Sequence, residues 1–142
     1  MIRIISCNLY KNRQVGMTLI ELLFTVAIIA ILSAIAYPSY TSHVIEAHRT
    51  AAKMDMMRIQ LLLEEGYVGT YSWSSIISAG TCTVCESSGE RYLFSVVSSS
   101  TSTYTITATA QTDKGQTNDA CLSSDHKMTL NAKGETAPSD CW

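Results

Sequence analysis

The cysteines of the second half of the chain are the residues with the clearest potential chemistry. Cys82 and Cys85 form a C-x-x-C in a Thr/Ser/Gly-rich stretch, and Cys121 and Cys141 bracket the last segment. A redox dithiol normally begins a helix, but no helical pattern follows Cys85. A zinc site made of four cysteines needs a second closely spaced pair, which Cys121 and Cys141 do not form. We therefore expect a local Cys82–Cys85 disulfide, while pairings such as Cys82 with Cys121 stay open.

The second unusual residue is Glu21, the single charge in the apolar run from Met17 to Tyr37. As a helix this run spans roughly 30 Å, the thickness of the hydrocarbon core of a bilayer. Arg3, Lys11 and Arg13 precede it without any acid, which predicts that the N-terminus stays in the cytoplasm. A carboxylate within a membrane segment costs on the order of 2–3 kcal/mol, so Glu21 needs a partner.

Three interpretations of this N-terminal region compete. It is a secretory signal peptide cut after Ala34-Ile35-Ala36, an uncleaved membrane anchor, or a leader cut between Gly16 and Met17. Only the cut after Gly16 supplies a partner for Glu21, because it creates a free α-amino group at Met17. We therefore favour that cut.

The segment Gly16-Met17-Thr18-Leu19-Ile20-Glu21 resembles the prepilin motif of the type IV pilin family. The resemblance implies cleavage between Gly16 and Met17 by prepilin peptidase and N-methylation of Met17. It also implies that Thr18 and Glu21 serve assembly, with Glu21 pairing with the N-terminal amine of a neighbouring subunit. Two departures are Met17, where phenylalanine is usual, and a leader of 16 residues, which is longer than most.

A long helix is predicted beyond the apolar run. Pro38 is expected to kink or locally melt the helix around residues 34–37, and a proline here also matches the pilin pattern. Helical periodicity returns over residues 39–66, with Gly66 as the stop. The predicted core-facing stripe consists of Val44, Ala47, Ala51, Met54, Met57, Leu61 and Leu62. The predicted polar face consists of Glu46, Arg49, Lys53, Arg58 and Glu65.

The remainder of the chain predicts a small antiparallel sheet. Residues 67–90 have the composition of an ordered surface loop, residues 98–103 of a hairpin connection, and residues 132–134 of a turn. The predicted strands are residues 91–97, 104–110 and 127–131. This part alone is too small for a strong core, so we expect it to pack on the helix stripe. The fold class is α+β, and the pilin resemblance implies a ladle in which the first half of the long helix is transmembrane.

The end of the chain resembles the minor pilins called PilE. Residues 104–110 with Cys121, and residues 128–135 with the closing Asp140-Cys141-Trp142, carry this resemblance. It implies a C-terminal loop closed by Cys121 and Cys141. Such a bridge closes about 20 residues and is worth on the order of 3 kcal/mol. Cys7 leaves with the leader, which explains the odd cysteine count.

The chain carries no motif that indicates an enzyme. It has no Gly-rich phosphate loop, no H-E-x-x-H and no G-x-S-x-G. The histidines His43, His48 and His126 are isolated, and the acids Asp113, Asp119 and Asp125 are spaced too widely for a calcium loop. We expect these acids to be solvated. We expect no catalytic residue, cofactor, metal or small-molecule substrate.

The proposed division of the chain follows from these features: a leader at 1–16, a membrane and filament helix at 17–37, an amphipathic helix at 38–66 and a β head at 67–142. The predicted function is a structural, minor subunit of a type IV pilus, stored in the bacterial inner membrane with its head in the periplasm and extracellular after assembly. Its expected partners are other pilins, prepilin peptidase and the membrane. Such a subunit supports pilus biogenesis, adhesion, twitching or DNA uptake.

Three alternatives remain. A type II secretion pseudopilin shares the leader and helix but usually lacks the C-terminal disulfide loop. A plain secreted protein would begin at Tyr37. A DNA-receptor pilin is possible but not indicated, because the cleaved chain keeps seven basic and twelve acidic side chains, a net charge of −5. It binds phosphates poorly unless Lys114, Lys127 and Lys133 cluster.

Overall fold

A computed structural model describes residues 16–98 and 103–142. Residues 1–15 of the expected leader, which include Cys7, and most of the 98–103 connection therefore lie outside the described residues. The chain divides into two compact units between Tyr37 and Pro38. The helix α1, Leu19–Glu65, belongs to both units, and its end one residue before Gly66 agrees with the predicted stop.

In the first unit, α1 is apolar and every side chain from Met17 to Tyr37 is exposed. Among the described residues, α1 is the one helix that is long and apolar enough to cross a membrane. Residues 34–37 are helical and α1 continues through Pro38, so the predicted local melting is wrong. Proline removes one N–H donor, and the flanking turns keep their own bonds. The kink at Pro38 stays a prediction.

In the second unit, α1 packs through a different stripe from the predicted one. The buried residues of α1 are Ala52, Asp55, Met56, Ile59 and Leu63. Ala47, Met54, Met57 and Leu61 are exposed, so the predicted stripe was wrong for these positions. Apolar residues recur in steps of three and four on both sides of the helix, and periodicity alone does not choose between two such stripes.

The head contains an antiparallel sheet of four strands in the order β3-β4-β5-β6 and a separate hairpin β1-β2. The strands are β1 Ile77–Ser78, β2 Thr81–Cys82, β3 Tyr92–Val97, β4 Thr105–Ala110, β5 Lys127–Asn131 and β6 Thr136–Ala137. The three predicted strands are confirmed to within one residue. β1, β2 and β6 have two residues each and are too short to show an alternating pattern, so the sequence did not predict them. The β1-β2 hairpin lies within residues 67–90, which were predicted to form a loop.

Alternate residues of the sheet form the core. Phe94, Ala108 and Met128 lie opposite one another across β3, β4 and β5, and all three are buried. The intervening side chains on the other face are mainly Ser and Thr, which are exposed or half-buried. Gly134, with φ of 78°, lies in the predicted turn between β5 and β6. The α+β architecture is therefore confirmed, and the sheet buries one face only.

Candidate functional site

The start of α1 is a capping box built from Thr18 and Glu21. The Thr18 backbone N–H and hydroxyl both donate to Glu21 Oε2 at 3.2 Å, and the Glu21 N–H donates to Thr18 Oγ1 at 3.3 Å. This reciprocal pattern satisfies donors that a helix N-terminus otherwise leaves free, and the carboxylate also favours the positive end of the helix dipole. Within the described residues, Glu21 Oε1 accepts no hydrogen bond.

Gly16 and Met17 lie in the non-helical segment immediately before this capping box. Both residues are exposed, and neither belongs to a helix or strand. The Gly16–Met17 peptide bond therefore directly precedes the capping turn, and no described part of the chain packs over it. A carboxylate with one unoccupied oxygen forms charge-assisted hydrogen bonds with a cationic donor such as an amine.

Asp55 anchors the C-x-x-C loop to α1. The Asp55 side chain is 3% exposed, and its two carboxylate oxygens accept the backbone N–H groups of Glu86 and Ser87, each at 2.9 Å. A buried carboxylate is stable only when its oxygens are hydrogen-bonded, and here both are. Cys82 and Cys85 form a disulfide immediately before these two residues.

The C-terminal loop is closed and tied to the helix. The predicted Cys121–Cys141 disulfide is present, and Cys141 is buried. Lys53 Nζ donates to the Cys141 carbonyl at 3.1 Å. On the other side of the bridge, Asp119 Oδ1 accepts the Cys121 N–H at 3.1 Å. The loop is therefore held by the covalent bridge and by polar contacts at both of its cysteines.

Asp119 is a buried acid and not the solvated one that we predicted. Its side chain forms an ion pair with Arg49 of α1, and Arg49 also lies 3.8 Å from Glu46 Oε1. Gln116 Nε2 donates to the Ile45 carbonyl in the same region. Because the partner is on a distant part of the chain, the spacing of the acids contained no sign of this pair.

Three tyrosine hydroxyls of the head form hydrogen bonds with polar side chains. Tyr104 and Tyr71 donate to the two carboxylate oxygens of Glu64. Burial, together with the hydrogen bond to Glu64, raises the pKa of the Tyr104 hydroxyl. Burial also raises the pKa of Tyr92, to about 12, and Gln116 Nε2 donates to its oxygen at 3.0 Å. These contacts join α1 to the sheet.

The predicted cluster of Lys114, Lys127 and Lys133 is not present among the described residues, because Lys133 lies apart from the other two. Lys127 begins β5, which is about 14 Å long, and Lys133 lies in the turn beyond the other end of this strand. Lys114 is 3.4 Å from Glu90 Oε2, and Arg91 donates to the Lys114 carbonyl. Lys114, Arg91 and Lys127 lie at one end of the sheet, because Thr109 at the end of β4 pairs with Lys127.

The described residues contain no group of three His, Cys, Asp or Glu side chains that could hold a metal ion. Sequence reasoning identified Glu21 and the cysteines but missed Asp55, Glu64 and the Arg49–Asp119 pair. The sequence did contain a sign of Asp55, because this acid lies three residues after Ala52 and four residues before Ile59, on the buried apolar face of α1. Gln116 and Asp119 lie in and next to a short 3-10 helix between β4 and β5, and no sequence pattern pointed to them.

Two family models match the chain. The model described as type IV minor pilin ComP, DNA uptake sequence receptor, matches residues 38–125, more than half of the chain. The model described as the prokaryotic N-terminal methylation motif matches residues 11–37. No curated protein and no solved structure matches the chain. The two matches meet at Pro38, where the chain divides into its two units.

Proposed function

The chain belongs to the family of type IV minor pilins, and we propose that it is cleaved after Gly16, methylated at Met17 and incorporated into a type IV pilus through α1. The proposed parts are the leader 1–16, the membrane and filament helix 17–37, the amphipathic helix 38–66 and the head 67–142. Pilins are structural proteins. Membership in the pilin family implies other pilins as partners, and the leader implies prepilin peptidase.

This proposal rests on the capping box of Thr18 and Glu21, which begins an apolar helix whose side chains up to Tyr37 are all exposed. Glu21 uses one carboxylate oxygen to cap its own helix, which leaves the other for an external donor. In an apolar surrounding, the natural partner is a cation, and the amine created at Met17 of a neighbouring subunit supplies one. Thr18 holds the carboxylate in place for this contact.

In this proposal, residues 17–37 lie in one environment before assembly and in another after it. Before assembly, the exposed apolar side chains of residues 17–37 anchor the subunit in the inner membrane, with the head in the periplasm. During assembly they leave the lipid and pack on the helices of neighbouring pilins. Glu21 then fixes the position of the subunit along the filament axis, because its carboxylate reaches the amine of the neighbouring subunit at one axial offset only.

The test compares Glu21→Ala with Glu21→Asp in cells that express the full chain. We expect Glu21→Ala to keep its amount in the inner membrane but to fall at least tenfold in sheared pili. Glu21→Asp keeps the charge and is expected to lose less. Wild-type amounts of Glu21→Ala in sheared pili would contradict the proposal.

We propose as a second function that the head binds DNA that the pilus takes up, because the family model over residues 38–125 describes a DNA uptake sequence receptor. Arg91, Lys114 and Lys127 at one end of the sheet are the candidate phosphate contacts. Because three such contacts are few, we expect weak and strongly salt-dependent binding. Retention of the full chain on duplex DNA at low salt, lost in Lys127→Gln, supports this; retention unaffected by salt contradicts it.

A further inference from the structure

The segment that follows α1 presents aromatic and apolar side chains at the surface of the head. Tyr67 is 49% exposed and Val68 91% exposed, while Tyr71 and Trp73 are half-buried. We call residues 66–74 the aromatic loop. Single exposed apolar side chains are ordinary on a protein surface, whereas a group of them marks a surface that binds something.

The rings of the aromatic loop are held in fixed positions. The centroid of the Tyr71 ring lies 4.6 Å from that of Tyr67 and 4.8 Å from that of Tyr104. The Tyr71 hydroxyl donates to Glu64 Oε2 at 3.2 Å, and the Trp73 carbonyl accepts two backbone N–H groups of the turn that follows. A surface that is already ordered loses little conformational entropy when it binds a ligand.

A shallow groove in the aromatic loop combines ring faces with hydroxyl groups. It has a volume of about 170 Å³ and is lined by Tyr71, Ser72, Trp73 and Ser74. Both serines are exposed, and neither hydroxyl forms a hydrogen bond with another described residue. A sugar ring has C–H groups that pack on the electron-rich face of an aromatic ring, and it has hydroxyls that exchange hydrogen bonds with serine.

We propose that the aromatic loop binds a neutral carbohydrate, with one sugar ring in the groove of Tyr71 and Trp73. This proposal goes beyond the proposed function and does not depend on cleavage after Gly16 or on entry into a pilus. It identifies a class of ligand through which the head attaches to a surface that carries glycans.

The charges of the loop favour a neutral ligand over a nucleic acid. Bases also stack on aromatic rings, but the phosphates that connect them need cations nearby. Residues 64–76 contain Glu64 and Glu65 and no Lys or Arg. The aromatic loop is therefore distinct in chemistry from the cations Arg91, Lys114 and Lys127, to which the second proposed function assigns DNA.

The test begins with the full chain in a detergent that has no sugar headgroup. Cellotetraose, maltotetraose and chitotetraose are the neutral probes, and saturation-transfer NMR measures which protons of the sugar contact the protein. We expect at least one probe to bind, with the largest transfer to the C–H protons of one ring face. Binding of none of the three would overturn the proposal, as would their displacement by a single-stranded DNA oligonucleotide.

Variants of Trp73 separate ring stacking from general apolar contact. We expect Trp73→Leu to weaken the binding of that probe at least fivefold and Trp73→Phe, which keeps an aromatic ring, to weaken it less. Tyr40→Leu changes an exposed tyrosine outside the aromatic loop and should leave binding unchanged. Equal weakening by Trp73→Leu and Trp73→Phe, or equal weakening by Tyr40→Leu, would overturn stacking in the groove.

The double variant S72A/S74A tests the hydroxyls without disturbing the core. Both side chains are exposed, so the melting temperature should equal that of the wild-type chain. We expect the double variant to bind the probe at least threefold more weakly. Binding equal to that of the wild-type chain would overturn the groove as the site, and this result stands even if Trp73→Leu fails to fold.

Discussion

The two parts of α1 belong to one helix but are stabilised in different ways. From Leu19 to Tyr37 no side chain is buried, and the polar contacts of this part include the capping box of Thr18 and Glu21. Beyond Pro38 the helix is held by a buried stripe, a buried carboxylate and ion pairs to the loops. The first part therefore has no buried side chains, whereas residues 38–142 share one hydrophobic core.

The largest expected effect comes from the core that α1 shares with the sheet. Met56→Ala removes a fully buried side chain and should lower the free energy of unfolding by about 4 kcal/mol. Met54→Ala, two residues away on the exposed face, should change it by less than about 0.5 kcal/mol. Denaturant unfolding of the two variants in detergent measures this difference. Equal losses would show that the buried and exposed faces are wrongly assigned.

The disulfide of the C-terminal loop is the next largest contribution. Cys121→Ser with Cys141→Ser should destabilise the head by about 3 kcal/mol, because the unfolded chain regains the freedom of a loop of about 20 residues. The same substitutions should leave membrane insertion unchanged. Loss of insertion would contradict the separation between the helix segment and the head.

Asp55 provides a smaller, local effect. Asp55→Ala leaves the N–H groups of Glu86 and Ser87 without their acceptor and should cost about 2 kcal/mol. Hydrogen exchange at these two amides should accelerate more than exchange in the sheet. Exchange that accelerates equally throughout the head would contradict a local anchor.

Alkaline pH gives the smallest expected effect. The pKa of Tyr92 rises from 10.0 unfolded to about 12 folded, so the unfolded state loses its proton first and gains relative stability. This contribution of Tyr92 is fully present below pH 10 and is lost as the pH rises toward 12. The melting temperature should therefore decrease over that interval. Tyr92→Phe should reduce the decrease, and an unchanged pH dependence in this variant would contradict the assignment.

The sequence predicted the parts of the molecule that depend on local patterns. The apolar composition of residues 17–37 predicted the helix, and alternating apolar and polar residues predicted β3, β4 and β5. The prepilin motif placed Glu21 at the start of the helix. It did not predict which apolar stripe of α1 is buried, because both have the same spacing. It also missed the Arg49–Asp119 pair, whose members are far apart in the chain.

The first residue of the mature protein shows whether the chain is cleaved after Gly16. Intact-mass measurement and N-terminal peptide sequencing of the chain purified from membranes identify its first residue and any added methyl group. We predict that the mature chain begins with N-methylated Met17 and lacks residues 1–16. A mature chain that begins at Tyr37, or one that keeps residues 1–16, would contradict cleavage after Gly16.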